Sequence, residues 1–194
     1  MKNIPLIIHY QITRRLKRPV WWLFNQIYSR WWGVHFPAST RFIGKVCLRV
    51  NDESSVKIGN NCEFLSSSTS NWIGVNTPCI ISTITHNANI HIGNNCGFSG
   101  TVIGAGKNIV IGDNVRCGAN TLITDSDWHQ GDPRTSPDSD VVIENNVWLG
   151  YGVKVLKGVR IGENSVIGAG SIVTRNIPSN VIAAGNPCKV IKNL

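Results

Sequence analysis

The sequence predicts an all-β fold, a parallel β-helix of triangular cross-section, and three observations carry that prediction. Ile143, Leu149, Val155, Ile161, Ile167 and Val173 stand six residues apart in unbroken register. Four residues after each comes a small or β-branched residue: Val147, Val153, Val159, Ser165, Ser171 and Ile177. Short runs of Gly, Asn and Asp punctuate the hexads, as in Gly59-Asn60-Asn61, Gly93-Asn94-Asn95, Gly112-Asp113-Asn114 and Gly162-Glu163-Asn164. A period of six is neither a 3.6-residue helix nor a two-residue strand alternation. It is read as an architecture in which each hexad makes one flat face, three hexads complete a coil, and the aliphatic points into the prism. Corners between faces often need positive φ, which Gly, Asn and Asp accept.

Residues 1–50 are expected to form a separate, partly helical extension. Up to residue 45 they hold Lys2, Arg14, Arg15, Lys17, Arg18, Arg30, Arg41 and Lys45 with no Asp or Glu, so the net +8 of the chain lies there. The eleven basic and eleven acidic residues that follow cancel. Trp21, Trp22, Trp31 and Trp32, four of the seven tryptophans, fall in the same segment. Basic and Trp-rich together fits contact with the inner leaflet of a membrane through residues 1–45, and equally a cap whose aromatics close the open end of the prism. No nucleic-acid partner is expected.

Residues 51–194 are expected to be the β-helix. Its register runs through Ile58 and Phe64, Ile92 and Phe98, then Ile111, Cys117 and Ile123, with room for roughly six coils between Ile58 and about Pro178. The interruption after Ile123 is a protruding loop at about 125–141: Ile123 and Ile143 stand twenty residues apart, not a multiple of six, and the stretch between is polar with two prolines. A short tail closes the chain.

At 194 residues, 42% of them hydrophobic, the chain fits one domain plus an extension. It has no run of eighteen apolar residues, and its N-terminus lacks an apolar signal core with a small-residue cleavage site. A cytoplasmic location is expected, peripheral on the inner membrane if residues 1–45 bind there. Cys62 and Cys96 share one place in their hexads and Cys117 takes an inward place, which suits buried, reduced thiols.

A prism has no pocket of its own, so chemistry is sought where the repeat breaks. At the root of the loop lies Asp125-Ser126-Asp127-Trp128-His129. If extended, this stub places Asp125, Asp127 and His129 on one side and Ser126 and Trp128 on the other. A neutral histidine whose tautomer is set by a carboxylate can accept a proton as a general base.

Three stretches near the C-terminus carry a family resemblance. They are Asn145-Asn146-Val147-Trp148-Leu149-Gly150, then the run from Ile161 to Thr174, then Ile177-Pro178 with Ala183-Ala184-Gly185-Asn186-Pro187-Cys188-Lys189-Val190-Ile191. They resemble the galactoside and maltose O-acetyltransferase branch of the hexapeptide-repeat acyltransferases. Gly97-Phe98-Ser99-Gly100 and the stretch Ile123 to His129 are more similar to acetyltransferases of surface-polysaccharide assembly. The resemblance covers about residues 55–194 and implies a left-handed winding, a homotrimer, and acetyl-CoA lying between adjacent prisms. It implies His129 as catalytic base, and the alternation of the stub offers Asp127 or Asp125 to orient it. It implies coenzyme contacts at Trp148, Tyr151, Ala169, Thr174 and Arg175, with Lys189 and Lys192 on the phosphates. The branch has serine in place of Tyr151 and arginines in place of the two lysines. Where it has an acceptor-placing asparagine, this chain has Phe98-Ser99-Gly100-Thr101, so Ser99 and Thr101 are the candidate acceptor contacts.

The implied function is acetyl transfer from acetyl-CoA to a sugar hydroxyl, with no metal, in surface-polysaccharide or lipopolysaccharide assembly, on an acceptor that is free, nucleotide-linked or lipid-linked. N-acetylation of a nucleotide-linked amino sugar is the alternative with the same machinery. Two readings from other classes are a zinc carbonic anhydrase on the same prism, using the five-residue spacing of His86 and His91, and an inert binding scaffold.

Overall fold

Each hexad buries its aliphatic and the small or β-branched residue four places on, as with Leu149 and Val153, while its strand pairs with the coils above and below. The computed structural model describes residues 4–194, with side chains from Arg18 onward. After helix α1 (Ile4–Trp31) the chain winds through β1 (Arg41–Ile43), β2 (Cys47–Arg49) and β3 (Ser55–Ile58), then β4 (Glu63–Leu65), β5 (Ile80–Thr83) and β6 (Asn89–Ile92). The third and fourth coils are β7 (Gly97–Ser99), β8 (Val102–Ala105) and β9 (Asn108–Ile111), then β10 (Arg116–Cys117), β11 (Leu122–Thr124) and β12 (Val141–Ile143). β13 (Trp148–Leu149), β14 (Lys154–Val155), β15 (Arg160–Ile161), β16 (Val166–Ile167) and β17 (Ile172–Val173) follow. β18 (Val181–Ala184) and β19 (Lys189–Asn193) end the chain. Up to β17 every third strand joins the same sheet, and β18 and β19 extend the first, giving parallel sheets of eight, six and five strands wound as a left-handed prism, with β19 antiparallel to β18.

The core is a set of vertical columns. In the eight-stranded sheet Phe42, Phe64, Phe98, Cys117, Leu149, Ile167 and Ala183 stand in register, nearly all wholly buried. The three rings stack at 5.9 and 5.0 Å between centroids. All six cysteines carry free thiols, five of them buried, and burial pushes the Cys79 and Cys117 thiols up, away from reactive thiolate.

Corners take the positive φ expected of them, and within the Gly-Asn runs one residue supplies it. Positive φ falls on the asparagines, at Asn61, Asn95, Asn114, Asn146, Asn164 and Asn180, not on the preceding glycines. Their amides ladder between coils, as in Asn61 to Asn95 at 3.2 Å and Asn164 to Asn180 at 2.9 Å. Gly59 and Gly93 are needed for closeness: a Cβ on either would stand 2.5 or 2.4 Å from the next coil.

Strands begin at Arg41, ahead of the boundary expected at residue 50, and α1 closes the first coil. The top of a prism presents unpaired backbone groups, which an apolar lid would leave unsatisfied. Asn25 answers this by accepting from Val46 N (2.9 Å) and donating to Gly44 O (3.1 Å), while Gln26 donates to Phe36 O (3.0 Å). Trp21, Trp22, Tyr28 and Trp32 pack around these polar contacts against the core. The cap reading therefore holds for the second half of α1. Lys2 and the side chains of Arg14, Arg15 and Lys17 lie outside the described residues. Among the described residues no helix is long and apolar enough to cross a membrane.

Candidate active site

Loop 125–140 leaves the prism between β11 and β12, as its broken spacing predicts, and its root is built around a buried carboxylate. Asp125 is wholly buried; its Oδ1 accepts from Gly106 N (2.5 Å) and its Oδ2 from Lys107 N (2.9 Å) and Asn108 N (2.6 Å). Burial pushes its pKa up and is the largest influence; the three amides oppose it without reversing it. Its carbonyl accepts from Ser139 N at 3.0 Å, closing the neck of the loop.

The extended stub does not form. Trp128 adopts φ +66°, a left-handed conformation that costs a bulky residue about 1–3 kcal/mol. Its indole N–H donates to Thr124 Oγ1 (2.9 Å), and its ring lies over Gly104, where a Cβ would stand 2.1 Å from the indole. The expected common face of Asp125, Asp127 and His129 is thereby corrected. Asp125 turns inward to the amides, and Asp127 turns outward to an ion pair with Lys157, whose ammonium also donates to Ser136 O at 2.8 Å. The imidazole of His129 is exposed and makes no hydrogen bond among the described residues. Its carbonyl accepts from Asp132 N (3.3 Å), so the backbone beyond it folds into a turn. The structure holds His129 at the loop root, with neither aspartate touching its ring.

The other candidates lie on the outer wall at two edges. Trp148 is 55% exposed on β13; Tyr151 and Ala169 sit on successive coils at the corner that follows the eight-stranded sheet. Lys189 and Lys192 lie exposed on β19, against Ala184 and Ile182 of the same sheet, without a partner among the described residues. Thr174 and Arg175 are exposed at the far end of the six-stranded sheet. They occupy the edge from which loop 125–140 emerges, since β11, β14 and β17 are in register there.

Ser99 and Thr101 are both buried. Thr101 Oγ1 has no hydrogen-bond partner among the described residues, whereas Ser99 Oγ accepts from Asn71 Nδ2 at 3.2 Å. Ser99 borders a groove of about 370 Å³ on the eight-stranded sheet, between Arg41, Glu63 and Arg116, where Gly97 leaves a notch. Asn71 comes from a second insertion, residues 66–79, that the sequence reading overlooked. Phe64 and Ile81 stand seventeen residues apart, a break in the hexads that could have found it. His86 and His91 are exposed, and among the described residues no three of His, Cys, Asp or Glu are grouped to hold a metal ion.

Residues 140–175 match the family described as bacterial transferase hexapeptide (six repeats). The galactoside O-acetyltransferase of Escherichia coli is 43% identical over 118 residues, which cover 56% of this chain and 56% of that enzyme. The acetyltransferase-type protein YJL218W of Saccharomyces cerevisiae is 43% identical over 140 residues, 68% of each chain. Against the galactoside O-acetyltransferases of Escherichia coli and Lactococcus lactis the chain spans little more than half their length. Among solved structures, an N-acyltransferase from Bacillus cereus, a mutant in complex with dTDP-4-amino-4,6-dideoxyglucose and coenzyme A, aligns with a TM-score of 0.55. It covers 76% of this chain and 83% of that one at 19% identity, a likeness of fold.

Proposed function

The chain belongs to the family of bacterial hexapeptide-repeat transferases, and from that premise we propose that it carries an acetyl group from acetyl-CoA to a hydroxyl of a sugar. The observation that carries the reading is His129, an exposed imidazole with no hydrogen-bond partner among the described residues, on an anchored loop root in a chain 43% identical over its matched part to a galactoside O-acetyltransferase. Acetyl-CoA supplies the activated acyl group. His129 takes the proton of the acceptor hydroxyl as the new C–O bond forms and the C–S bond breaks, and returns it to the departing CoA thiolate. Trp148 and Tyr151 offer flat surface to the coenzyme, and Lys189 and Lys192 offer unpaired cations to its phosphates.

Because these groups occupy two edges of the prism, one groove gathers them best where two copies meet, which supports the homotrimer. The proposal further places the enzyme in the cytoplasm on the inner leaflet, next to a lipid-linked acceptor of surface-polysaccharide assembly. Supporting that placement, Val20, Leu23, Phe24, Ile27 and Trp31 form an outward apolar row on α1, since the buried side of the helix is taken by Asn25, Gln26 and Ser29.

The test is acetyl-CoA consumption against a panel of sugars, nucleotide sugars and lipid-linked saccharides, with products weighed by mass spectrometry. An ester on a hydroxyl is expected. An amide on an amino sugar would move the assignment to N-acetylation, and silence across the panel would leave only a binding scaffold.

A further inference from the structure

We propose that Trp128, seated on a bed made by Gly104, is the residue that positions His129. The inference rests on His129 being the base. A general base must be held to within a fraction of an ångström, yet no side chain among the described residues hydrogen-bonds or ion-pairs with the His129 ring. What is fixed is its neighbour. The edge of the Trp128 six-membered ring abuts the outer wall of the six-stranded sheet at Gly104, in the outward row of Ser82, Gly104 and Thr124. Gly104 supplies the space, and Thr124 Oγ1 supplies the acceptor for the indole N–H at 2.9 Å. The backbone amide of Trp128 donates to Ser126 Oγ at 3.1 Å, which locks the turn from the other side. With ring and amide both held, the left-handed φ of +66° sets where the chain continues, and His129 is the next residue. Gly106 repeats the device: a Cβ there would meet the Asp138 carboxylate at 2.1 Å, so both strands of the loop neck rest on glycine. Gly104 within β8 and Gly106 just past its end both mark such a close approach.

Gly104 offers a clean perturbation, because its φ is ordinary and the three atoms nearest to an added methyl are all in the Trp128 indole. In the full-length protein, Gly104→Ala should evict the ring and leave the wall intact. With a simple galactoside as acceptor, kcat is expected to fall roughly 10–100-fold while KM for acetyl-CoA holds within about twofold. Trp128→Ala should match it, Trp128→Phe should retain most of the rate, and Gly104→Ala added to Trp128→Ala should cost nothing more, since glycine acts through the indole. A readout independent of turnover is the ring resonance of His129 in ¹³C-histidine-labelled protein, identified by its loss in His129→Ala and expected to shift or broaden in Gly104→Ala. Additive losses in the double variant, or an unmoved His129 resonance in both single variants, would overturn the positioning role. Full turnover in His129→Ala would instead remove the base assignment. Loss in His129→Ala with normal Gly104→Ala and Trp128→Ala would leave the base and discard Trp128.

Discussion

His129 and its two neighbouring aspartates make separable demands at the level of single residues. If His129 moves the proton, His129→Ala lowers kcat by roughly 10²–10⁴ and leaves the melting temperature in place, because the ring is exposed and contributes no packing. Steady-state kinetics beside a thermal melt would check both halves, and near-normal turnover would falsify the assignment. Asp125 is different in kind. Asp125→Asn turns an amide N–H₂ toward at least one of three backbone donors, and an unsatisfied buried group costs about 1–3 kcal/mol. For a chain of this size that is a fall of roughly 2–12 °C in Tm, with activity lost as the loop root loosens. Asp127→Asn removes an exposed pair with Lys157 worth at most about 1 kcal/mol, and both Tm and kcat should stay near wild type. A large kinetic loss in Asp127→Asn with an intact melt would show that the carboxylate swings to the imidazole during turnover. The sequence placed both carboxylates beside His129 because a strand alternates; one left-handed residue, Trp128, reverses that geometry, and no local pattern marks a tryptophan for positive φ.

Two terminal elements carry the binding predictions. On β19, Lys189 and Lys192 are exposed cations held alike before and during reaction, so Lys189→Ala should raise KM for acetyl-CoA and roughly keep kcat. The increase should be smaller with a truncated acetyl-pantetheine donor, and equal increases with both donors would put Lys189 away from the phosphates. On the second half of α1 the buried positions Asn25, Gln26 and Ser29 are polar, flanked by Trp21, Trp22 and Tyr28 against the core, while Leu23, Ile27 and Trp31 face out. Replacing Leu23, Ile27 and Trp31 with Ser should therefore leave the fold standing while reducing co-sedimentation with vesicles of anionic lipid. Binding by the parent should weaken at high salt. Indifference of the parent protein to such vesicles would end the membrane proposal. The tryptophans and the charge of this segment were visible in the sequence, but their division between two faces was not. Trp21 and Trp22 lean on the core whereas Trp31, 86% exposed, faces out, and only the docking of the helix separates them.

For the whole molecule, stability resides in the columns of inward side chains. Ile109 is fully buried, and Ile109→Ala should cost about 2–5 kcal/mol, read as a lowered denaturant midpoint, with the neighbouring coils losing cohesion because each contacts only the next. Sedimentation of the intact chain is expected to give a trimer, and a strict monomer with full activity would mean that one prism completes the site. The sequence by itself determined the architecture, because a period of six is a property of every coil and survives local irregularity. It also located the His129 loop, because an interruption of a repeat is counted as easily as the repeat. Tertiary structure alone decided the partners of that loop: the seat on Gly104, the amides around Asp125, the Lys157 pair and the reach of Asn71 to Ser99. Each of these joins residues from different coils or insertions, and their meeting depends on how the coils stack and the loops fold back, which no spacing along the chain encodes.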